Sequence, residues 1–208
     1  NRYNMKVDAS QEMDLITVES KCWQMLSDAV GDRKHPMRTM VVGSVSGSMA
    51  QIRTIVLRKV EKETRKIYFH TDLRSSKIDD IQATGQLSWL AYDPTQRTQI
   101  RLYGATILHH GDAIALAQWN LTQHHSRRNY LLPEGPGKIH ADDFKSVEQQ
   151  LSDFSYTLEE SEAGFQNFVV VETTVEKLDW YYAHHTGNRR AGFTYDNGLL
   201  VHADWLTP

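Results

Sequence analysis

A succession of short apolar and β-branched runs between residues 39 and 110 restricts this chain to a mainly β fold. At Thr39 the spacing of apolar residues changes from helical to strand-like, and turn residues such as Gly43 to Gly47 and Asp93-Pro94 separate the runs. The predicted strands cover residues 40–45, 52–60, 66–70, 87–92 and 98–108. They follow one another as antiparallel hairpins.

Helical spacing is found on both sides of this strand-rich region. An N-terminal helix is predicted over about residues 12–30, with Asp8 or Ser10 as its cap and Gly31 at its end. A short helix is predicted over residues 75–84, and a helical insert over about residues 112–160. Within the insert we expect a helix at 112–124, a loop at 126–137 and a second helix with one apolar stripe. The stripe consists of Phe144, Val147, Leu151, Phe154 and Leu158.

The last part of the chain returns to strand spacing over about residues 166–206. A long strand is predicted over residues 168–182, and Asn197-Gly198 suits the type I′ turn of a closing hairpin. The sequence contains no internal repeat or linker. We therefore expect residues 1–208 to form one domain, a barrel-like antiparallel sheet, with strands at about 38–110, decorated by peripheral helices.

Composition and charge exclude several classes of function. The 208 residues are 40% hydrophobic and 24% charged, as in a globular protein with a sizeable core. The net charge is −3, and no block of like charges indicates a nucleic-acid or anionic-membrane partner. No apolar run is long enough to span a bilayer. The single cysteine, Cys22, excludes an internal disulfide and fits a reducing compartment, so we expect a cytoplasmic protein.

The sequence indicates neither a catalytic nucleophile nor a metal site. Cys22 lies on the first predicted helix without a basic neighbour to activate it, and no Gly-x-Ser-x-Gly occurs. The ten histidines include adjacent pairs, whose members diverge on a helix or strand, and no His-Glu-x-x-His is present.

Basic and hydroxyl side chains gather where the third predicted strand meets the short helix. Ser75, Ser76 and Lys77 stand at the helix start, where unpaired backbone N–H groups and the positive end of the helix dipole favour an anion. Arg53 and Arg58 lie five positions apart on one predicted strand. Strict alternation places them on opposite faces, which implies two ligands or two ends of one site.

Three segments together resemble the flavin-binding core of the pyridoxamine 5′-phosphate oxidase-like split barrels. They are Arg53-Thr-Ile-Val-Leu-Arg58, then Phe69-His-Thr-Asp-Leu-Arg-Ser-Ser-Lys77, then Arg97-Thr-Gln-Ile-Arg-Leu-Tyr-Gly104. Leu178-Asp-Trp180 and Asn188-Arg-Arg190 look like the family's C-terminal cofactor segment. The resemblance covers residues 37–110 well and residues 165–208 loosely. It implies a split β-barrel of antiparallel strands with peripheral helices.

The resemblance also implies FMN as the cofactor and gives roles to individual residues. Arg53 and Lys77 would neutralise the FMN phosphate, with a hydroxyl from Ser76. Gln99 would address the pyrimidine edge of the flavin, which fits the paired donor and acceptor groups of an amide. The flavin would lie beside the main chain of Thr54, Ile55, Val56, His70 and Thr71.

In the family FMN lies between two subunits, so the resemblance implies a homodimer in which Trp180 and Arg190 come from the partner chain. Arg58 stands where the oxidase has a lysine that contacts the substrate phosphate, and Arg127 resembles a second substrate contact. These two arginines favour a small anionic substrate.

The chain departs from the oxidase at two places that bear on its activity. Ser76 replaces an arginine beside Lys77, and Asn188-Arg-Arg190 lacks the histidine that the oxidase places beside its substrate. Three functions are therefore open: an FMN-dependent oxidase of the oxidase-related branch, an FMN reductase using a nicotinamide donor, and a non-catalytic FMN-binding protein.

Overall fold

The computed structural model describes residues 13–139 and 155–208. Within these ranges the chain forms nine strands and five α-helices. The strands are β1 (Thr39–Ser46), β2 (Met49–Val56), β3 (Lys59–Glu61), β4 (Lys66–Asp72), β5 (Gln86–Asp93), β6 (Thr98–His109), β7 (Phe168–Tyr182), β8 (Arg189–Asp196) and β9 (Leu199–Leu206). The helices are α1 (Leu15–Gly31), α2 (Lys77–Thr84), α3 (Ala113–Leu121), α4 (His124–Leu131) and α5 (Leu158–Ser161), with short 3₁₀ helices at Pro36–Arg38 and Glu162–Asn167.

All strand pairs are antiparallel, and they form one sheet in the order β2-β1-β5-β6-β7-β4-β3. The long strand β7 pairs with β6 on one side, and on the other with β4 along its first half and β8 along its second. β9 extends the sheet beyond β8. Because the path ends at β2 and β3, the sheet is not closed. The predicted mainly β, antiparallel architecture with peripheral helices is confirmed.

Several predicted boundaries are wrong, each for a local reason. α1 begins at Leu15, because Asp14 caps it by accepting a hydrogen bond from the Thr17 N–H at 2.7 Å; Asp8 and Ser10 lie outside the described residues. The loop predicted at 126–137 is helical in its first part, since Pro133 comes only after α4 has ended. The predicted helix with the apolar stripe also lies outside the described residues, apart from Leu158, where α5 starts.

The predicted strand at 52–60 is broken at its centre. β2 ends at Val56 and β3 starts at Lys59. Between them, the Leu57 N–H donates to Arg38 O and the Arg58 N–H donates to Tyr68 O, so successive residues bond to different parts of the chain. Strand alternation therefore cannot predict to which faces of the sheet the side chains of Arg53 and Arg58 point.

The core lies between the inner sheet face and α1. Val18, Cys22 and Leu26 on α1 are buried against strand residues such as Trp89 and Phe69. Burial raises the pKa of the Cys22 thiol, which makes it a packing residue rather than a nucleophile. Each such side chain stabilises the fold by roughly 1.5–3 kcal/mol through burial.

A buried polar network joins α1 to β8. Trp23 Nε1 donates to Tyr195 Oη at 2.9 Å, and the Tyr195 hydroxyl donates to Glu19 Oε1 at 2.8 Å. Arg65 completes the network at 3.1 Å from Glu19. Every charged member thus has a partner, which buried charge requires.

The helices in residues 13–139 and 155–208 are all too short or too polar to cross a membrane.

Candidate functional site

Two cations approach each other where β4 leads into α2. Lys77, the first residue of α2, donates to Thr71 Oγ1 at 2.9 Å and to Ser75 Oγ at 2.5 Å. Arg53 reaches the same place from β2. Burial lowers the pKa of Lys77, and the charge of Arg53 lowers it further. A bound anion would relieve this repulsion, so the pair forms a candidate phosphate site.

Arg53 is oriented from behind by Ser44 and Asp80. Arg53 Nη1 donates to Ser44 Oγ at 2.6 Å, and the Ser44 hydroxyl donates to Asp80 Oδ2 at 2.6 Å. The Asp80 carboxylate, in the first turn of α2, lies 3.8 Å from Arg53 Nη2. The guanidinium is therefore held in place before any ligand arrives, which lowers the entropy lost on binding.

Ser75, rather than Ser76, faces the lysine of this site. Ser75 is buried, whereas Ser76 is exposed and its side chain makes no capping hydrogen bond at the start of α2. The phosphate contact assigned to Ser76 stays a prediction. Ser75 is an additional candidate that the family resemblance did not assign.

The main chain of Thr54, Ile55 and Val56 lies on a strand at the end of the sheet order. Over the described residues, β2 pairs in the sheet with β1 only. Alternate N–H and C=O groups of an edge strand point away from its partner and can hydrogen-bond a ligand. The predicted contact of these three residues with a flavin is compatible with this position.

A second cationic site begins where β2 ends. A cavity of about 200 Å³ is bordered by Arg58 and His70, by two arginines that precede β1, and by residues of α3, α4 and their connection. Its lining consists of Arg33, Arg38, Arg58, His70, Gln118, Leu121, Thr122, Gln123 and Ser126. The structure thus brings two of the predicted residues, Arg58 and His70, to one cavity.

His70 is held in its neutral form at this cavity. Burial, and secondly the charge of Arg58, lowers the pKa of His70 to about 4. Its Nε2 lies 3.3 Å from Gln118 Oε1, and its ring meets Phe168 edge to face. A neutral imidazole offers one donor and one acceptor, so His70 can hydrogen-bond a ligand without adding charge.

The buried state of His70 predicts a loss of stability on mild acidification. Below about pH 6.5 the unfolded chain binds a proton at this imidazole, whereas the folded chain does so only near pH 4. Because the unfolded state binds more protons, the free energy of unfolding should fall by about 2 kcal/mol between about pH 7.5 and pH 5. Urea unfolding at the two pH values measures this change. His70→Gln should show a smaller fall, and an equal fall in the variant would contradict a buried neutral His70.

Arg127 makes its contacts inside the protein. It is 3% exposed, and its guanidinium donates to the Trp119 and Thr122 carbonyl oxygens, to Ser161 Oγ and to Glu162 Oε1. It also lies 4.3 Å from the centre of the Trp119 ring. These contacts join α3 and α4 to the segment before β7. The substrate contact stays a prediction for Arg127, although these partners already occupy its donors.

Gln99 and Arg190 lie on the outer face of the sheet. Gln99 is half-buried between Tyr92 on β5 and Tyr181 on β7 in the strand register. Arg190 Nη2 donates to Asp179 Oδ2 at 2.7 Å, and Arg101 donates to the same oxygen at 2.7 Å. Trp180 is 3% exposed and belongs to the core on the opposite face. Within one chain, therefore, the two side chains point to opposite faces of the sheet, and their cofactor contacts stay predictions.

Four site residues were not singled out by the sequence. Ser44 and Asp80 orient Arg53, while Arg33 and Arg38 border the cavity of Arg58. None of the four occupies a position to which the family resemblance assigns a ligand contact. Isolated polar residues of this kind do not form a recognisable motif. Their roles depend on tertiary contacts, which the spacing does not encode.

Residues 20–110 match the family model of the pyridoxamine 5′-phosphate oxidase FMN-binding domain. This range contains Arg53, Arg58, His70, Lys77 and Gln99, and it ends before α3. The resemblance to the pyridoxamine 5′-phosphate oxidase-like family is confirmed over residues 20–110, where the matched domain binds FMN; residues 165–208, which resemble the family loosely, lie outside the matched range.

Solved structures share the fold over nearly the whole chain. A pyridoxamine 5′-phosphate oxidase-related, FMN-binding protein from Nostoc punctiforme has 20% identity and a TM-score of 0.71, over 91% of this chain and 96% of that one. PhzG from Burkholderia lata, in complex with tetrahydrophenazine-1-carboxylic acid, has 15% identity and a TM-score of 0.70, over 96% and 95%. A Clostridium acetobutylicum protein related to general stress protein 26 has 11% identity and a TM-score of 0.55, over 90% and 100%. No curated protein matches the chain.

Proposed function

We propose that this chain is an FMN-dependent oxidoreductase acting on a small anionic substrate. One observation carries the proposal: two separate cationic sites lie at the two ends of the same short stretch of backbone. Arg53 and Lys77 form the first, and Arg58 belongs to the second. At about 3.3 Å per residue, the five residues from Arg53 to Arg58 span at most roughly 16 Å. The two sites are therefore close enough for one bound cofactor to extend from the phosphate anchor to the substrate site.

The residues of the first site fit an FMN phosphate. Arg53 and Lys77 supply two positive charges, Ser75 and Thr71 supply hydroxyl groups, and the adjacent edge of β2 supplies backbone donors and acceptors. Charge-assisted hydrogen bonds of this type are the strong ones in phosphate recognition. In this proposal Arg53 and Lys77 hold the phosphate and Thr54 to Val56 lie beside the ring system. Ser76 and Gln99 keep the cofactor contacts that the resemblance implies.

When bound, FMN supplies the redox chemistry by accepting a hydride from a substrate or a reduced nicotinamide. The chain's own contribution is binding and orientation. Arg58 attracts and positions an anionic group, and neutral His70 offers a hydrogen bond at the same cavity. No side chain is assigned a covalent or proton-transfer role.

We further propose a homodimer that completes the cofactor site. The outer face of the sheet bears one exposed apolar side chain on each of four neighbouring strands. They are Ile52 on β2, Val45 on β1, Tyr92 on β5 and Ile107 on β6. Ile52 is 74% exposed, which is costly for an isolated subunit but ordinary at an interface. Arg190 and Gln99 share this face, and we propose that the partner subunit's Arg190 contacts the cofactor from it. Trp180 belongs to the same C-terminal cofactor segment as Arg190, and its contact with the cofactor is proposed on that basis alone.

The dimer is tested by the mass in solution. Light scattering during size-exclusion chromatography should give twice the chain mass of 23.9 kDa. Ile52→Lys, which places a charge at the most exposed of these four apolar side chains, should shift the mass towards the monomer. A monomer for the unaltered protein would refute this part of the proposal.

We also propose that the protein acts in the cytoplasm, without nucleic-acid or membrane partners.

The absorption spectrum of the purified protein tests cofactor binding. Flavin bands, or their appearance on adding FMN, support the proposal, and a colourless protein that takes up no FMN refutes it. Anaerobic mixing with pyridoxamine 5′-phosphate, and separately with NADPH, then shows which donor bleaches the flavin. Bleaching by NADPH alone would identify a reductase, and bleaching by neither donor would favour a non-catalytic FMN-binding protein.

A further inference from the structure

We infer that Arg101 and Asp179 set the reduction potential of the bound cofactor. Arg101 stabilises the negative charge that FMN carries after reduction, and Asp179 limits this effect. The inference rests on the proposed function, in which Gln99 addresses the pyrimidine edge of the flavin. It adds two residues, on β6 and β7, to which the family resemblance assigns no cofactor contact.

Arg101 lies beside Gln99 on the outer face of the sheet. The two residues are two positions apart on β6, and alternation places both side chains on one face, because the bulge between β6 and β7 comes only after Tyr103. At about 3.3 Å per residue, their backbones are about 7 Å apart. A flavin whose pyrimidine edge is held by Gln99 therefore lies within reach of the Arg101 guanidinium.

A single carboxylate binds two guanidinium groups at this place. Arg101 Nη2 donates to Asp179 Oδ2 at 2.7 Å, and Arg190 Nη2 donates to the same oxygen at 2.7 Å. Arg190 Nε also donates to Asp179 Oδ1, at 3.2 Å. Arg190 thus makes a two-pronged contact with the carboxylate, whereas Arg101 has one bond to it. Two positive charges share one negative charge, and one positive charge is left uncompensated.

Arg101 keeps donors that a ligand can use. Over residues 13–139 and 155–208, its Nη1 makes no hydrogen bond, and its Nε is buried without a partner. The side chain is 34% exposed, so the guanidinium is accessible from the outer face. Because unpaired donors are unfavourable in a folded protein, a negatively charged acceptor at this face should be bound favourably.

The charged side chains next to this cluster do not remove the excess charge. Lys177 on β7 and Asp204 on β9 line a shallow cavity together with Asp179, and their charges are opposite. With Arg101 and Arg190, this makes three cations and two carboxylates among the described residues. The outer face therefore has an excess of one positive charge beside Gln99.

The chemistry of the cofactor identifies the anion that this charge favours. The FMN phosphate is assigned to Arg53 and Lys77, so the part of the cofactor near Gln99 is the ring system, which is neutral when oxidised. A hydride from the donor brings two electrons and one proton to N5, and the reduced ring then carries one negative charge, shared by N1 and the C2 oxygen of the pyrimidine edge. A cation at this edge stabilises the reduced form more than the oxidised form. A tenfold preference raises the reduction potential by about 30 mV.

Anaerobic reductive titration of the FMN-loaded protein against a redox dye of known potential tests the inference. Arg101→Gln should weaken binding of reduced FMN about 10-fold more than binding of oxidised FMN, which lowers the potential by about 30 mV. Arg101→Lys keeps the charge and should restore most of the potential. An unchanged potential in Arg101→Gln would overturn the inference.

Asp179→Asn should change the potential in the opposite direction. Asparagine keeps the shape of the side chain and one acceptor oxygen, but it removes the negative charge that compensates Arg101 and Arg190. The preference for reduced FMN should therefore increase by about 3- to 10-fold. A disturbed fold would instead weaken binding of both redox forms in both variants. An unchanged or lower potential in Asp179→Asn would overturn the role of Asp179.

Lys177→Gln is the matched control for the loss of one positive charge. Lys177 lies on the same outer face but is exposed, two positions beyond Asp179 on β7 in the direction away from Gln99. Screening by solvent and salt should keep its effect on the relative affinity below about 3-fold. A shift as large as that of Arg101→Gln would overturn the inference, because the effect would then follow the net charge of the protein.

The inference and the proposed function fail in different ways. A protein that takes up no FMN refutes the proposed function and, with it, the inference. A protein that takes up FMN, but whose potential is the same in the unaltered chain, Arg101→Gln and Asp179→Asn, refutes the inference alone and leaves cofactor binding supported.

Discussion

Replacing Arg53 by alanine should weaken FMN binding by about 1.5–3 kcal/mol, roughly 10- to 150-fold. Arg53 is one of two cations at the proposed phosphate site, and Ser44 holds its guanidinium in place at 2.6 Å. Alanine removes a charge-assisted contact to phosphate and leaves Lys77 as the remaining cation. Quenching of FMN fluorescence on titration with apoprotein measures the dissociation constant.

Two controls separate this effect from general changes in charge or folding. Lys34→Ala also removes one positive charge, but from an exposed position between α1 and β1, and should leave FMN affinity unchanged. Unfolding curves of Arg53→Ala show whether Asp80, which keeps its bond from Ser44, destabilises the fold when its cation is absent. An FMN affinity equal to that of the unaltered protein would show that Arg53 does not contact the cofactor.

The sequence predicts the positions of Arg53, Lys77 and Arg58 because these residues lie in short, ordered segments. Strand and helix signals around them are local, and Gly85, with a positive φ of 64°, ends α2 where a C-terminal glycine was expected. The type I′ turn is confirmed for the same reason, since Asn197 and Gly198 both have positive φ, 49° and 80°. Local backbone preferences are therefore sufficient for these parts.

The environment of each site residue depends on contacts that are distant in sequence. Ser44 and Asp80 reach Arg53 across 9 and 27 positions, and Arg33 and Arg38 meet Arg58 across 25 and 20. Arg127 is drawn into the interior by Ser161 and Glu162, more than thirty positions later. The periodicity of the sequence does not predict these long-range contacts. The sequence thus predicts the positions of the cations but not those of their neighbours.

Strand β7 shows how a single extra residue defeats alternation. Tyr103 pairs with Lys177, but the next residue, Gly104, pairs with Val175, so Glu176 has no counterpart on β6. After this bulge the face of each residue is inverted: Val171 and Val175 point into the core before it, and Leu178 and Trp180 after it. Trp180 faces the core for this reason, while Asp179 and its bond to Arg190 face outward.

Gly104→Ala should destabilise the protein by about 3 kcal/mol or more. This is a large effect for a substitution that adds a single methyl group. A Cβ at Gly104 would lie 1.9 Å from Thr174 O and 2.8 Å from Thr174 C, both backbone atoms of β7. No side chain can rotate away to make room, so the two central strands must separate at the bulge. In a chain of this length such a loss lowers the melting temperature by roughly 6–12 °C.

Gly43→Ala provides the comparison, because Gly43 also lies within the sheet, half-buried on β1, whereas Gly104 is buried on β6. The nearest atoms to its added Cβ lie 3.9 Å away, and its φ is not in the left-handed region. Its melting temperature should change by only about 2 °C or less, as expected for a substitution without strain. Equal melting temperatures for the two variants would contradict the close approach of β6 and β7. A selective loss in Gly104→Ala would explain why the Arg97 to Gly104 segment ends in glycine: that position faces a bulge in the neighbouring backbone, and the bulge directs Trp180 inward and Asp179 outward.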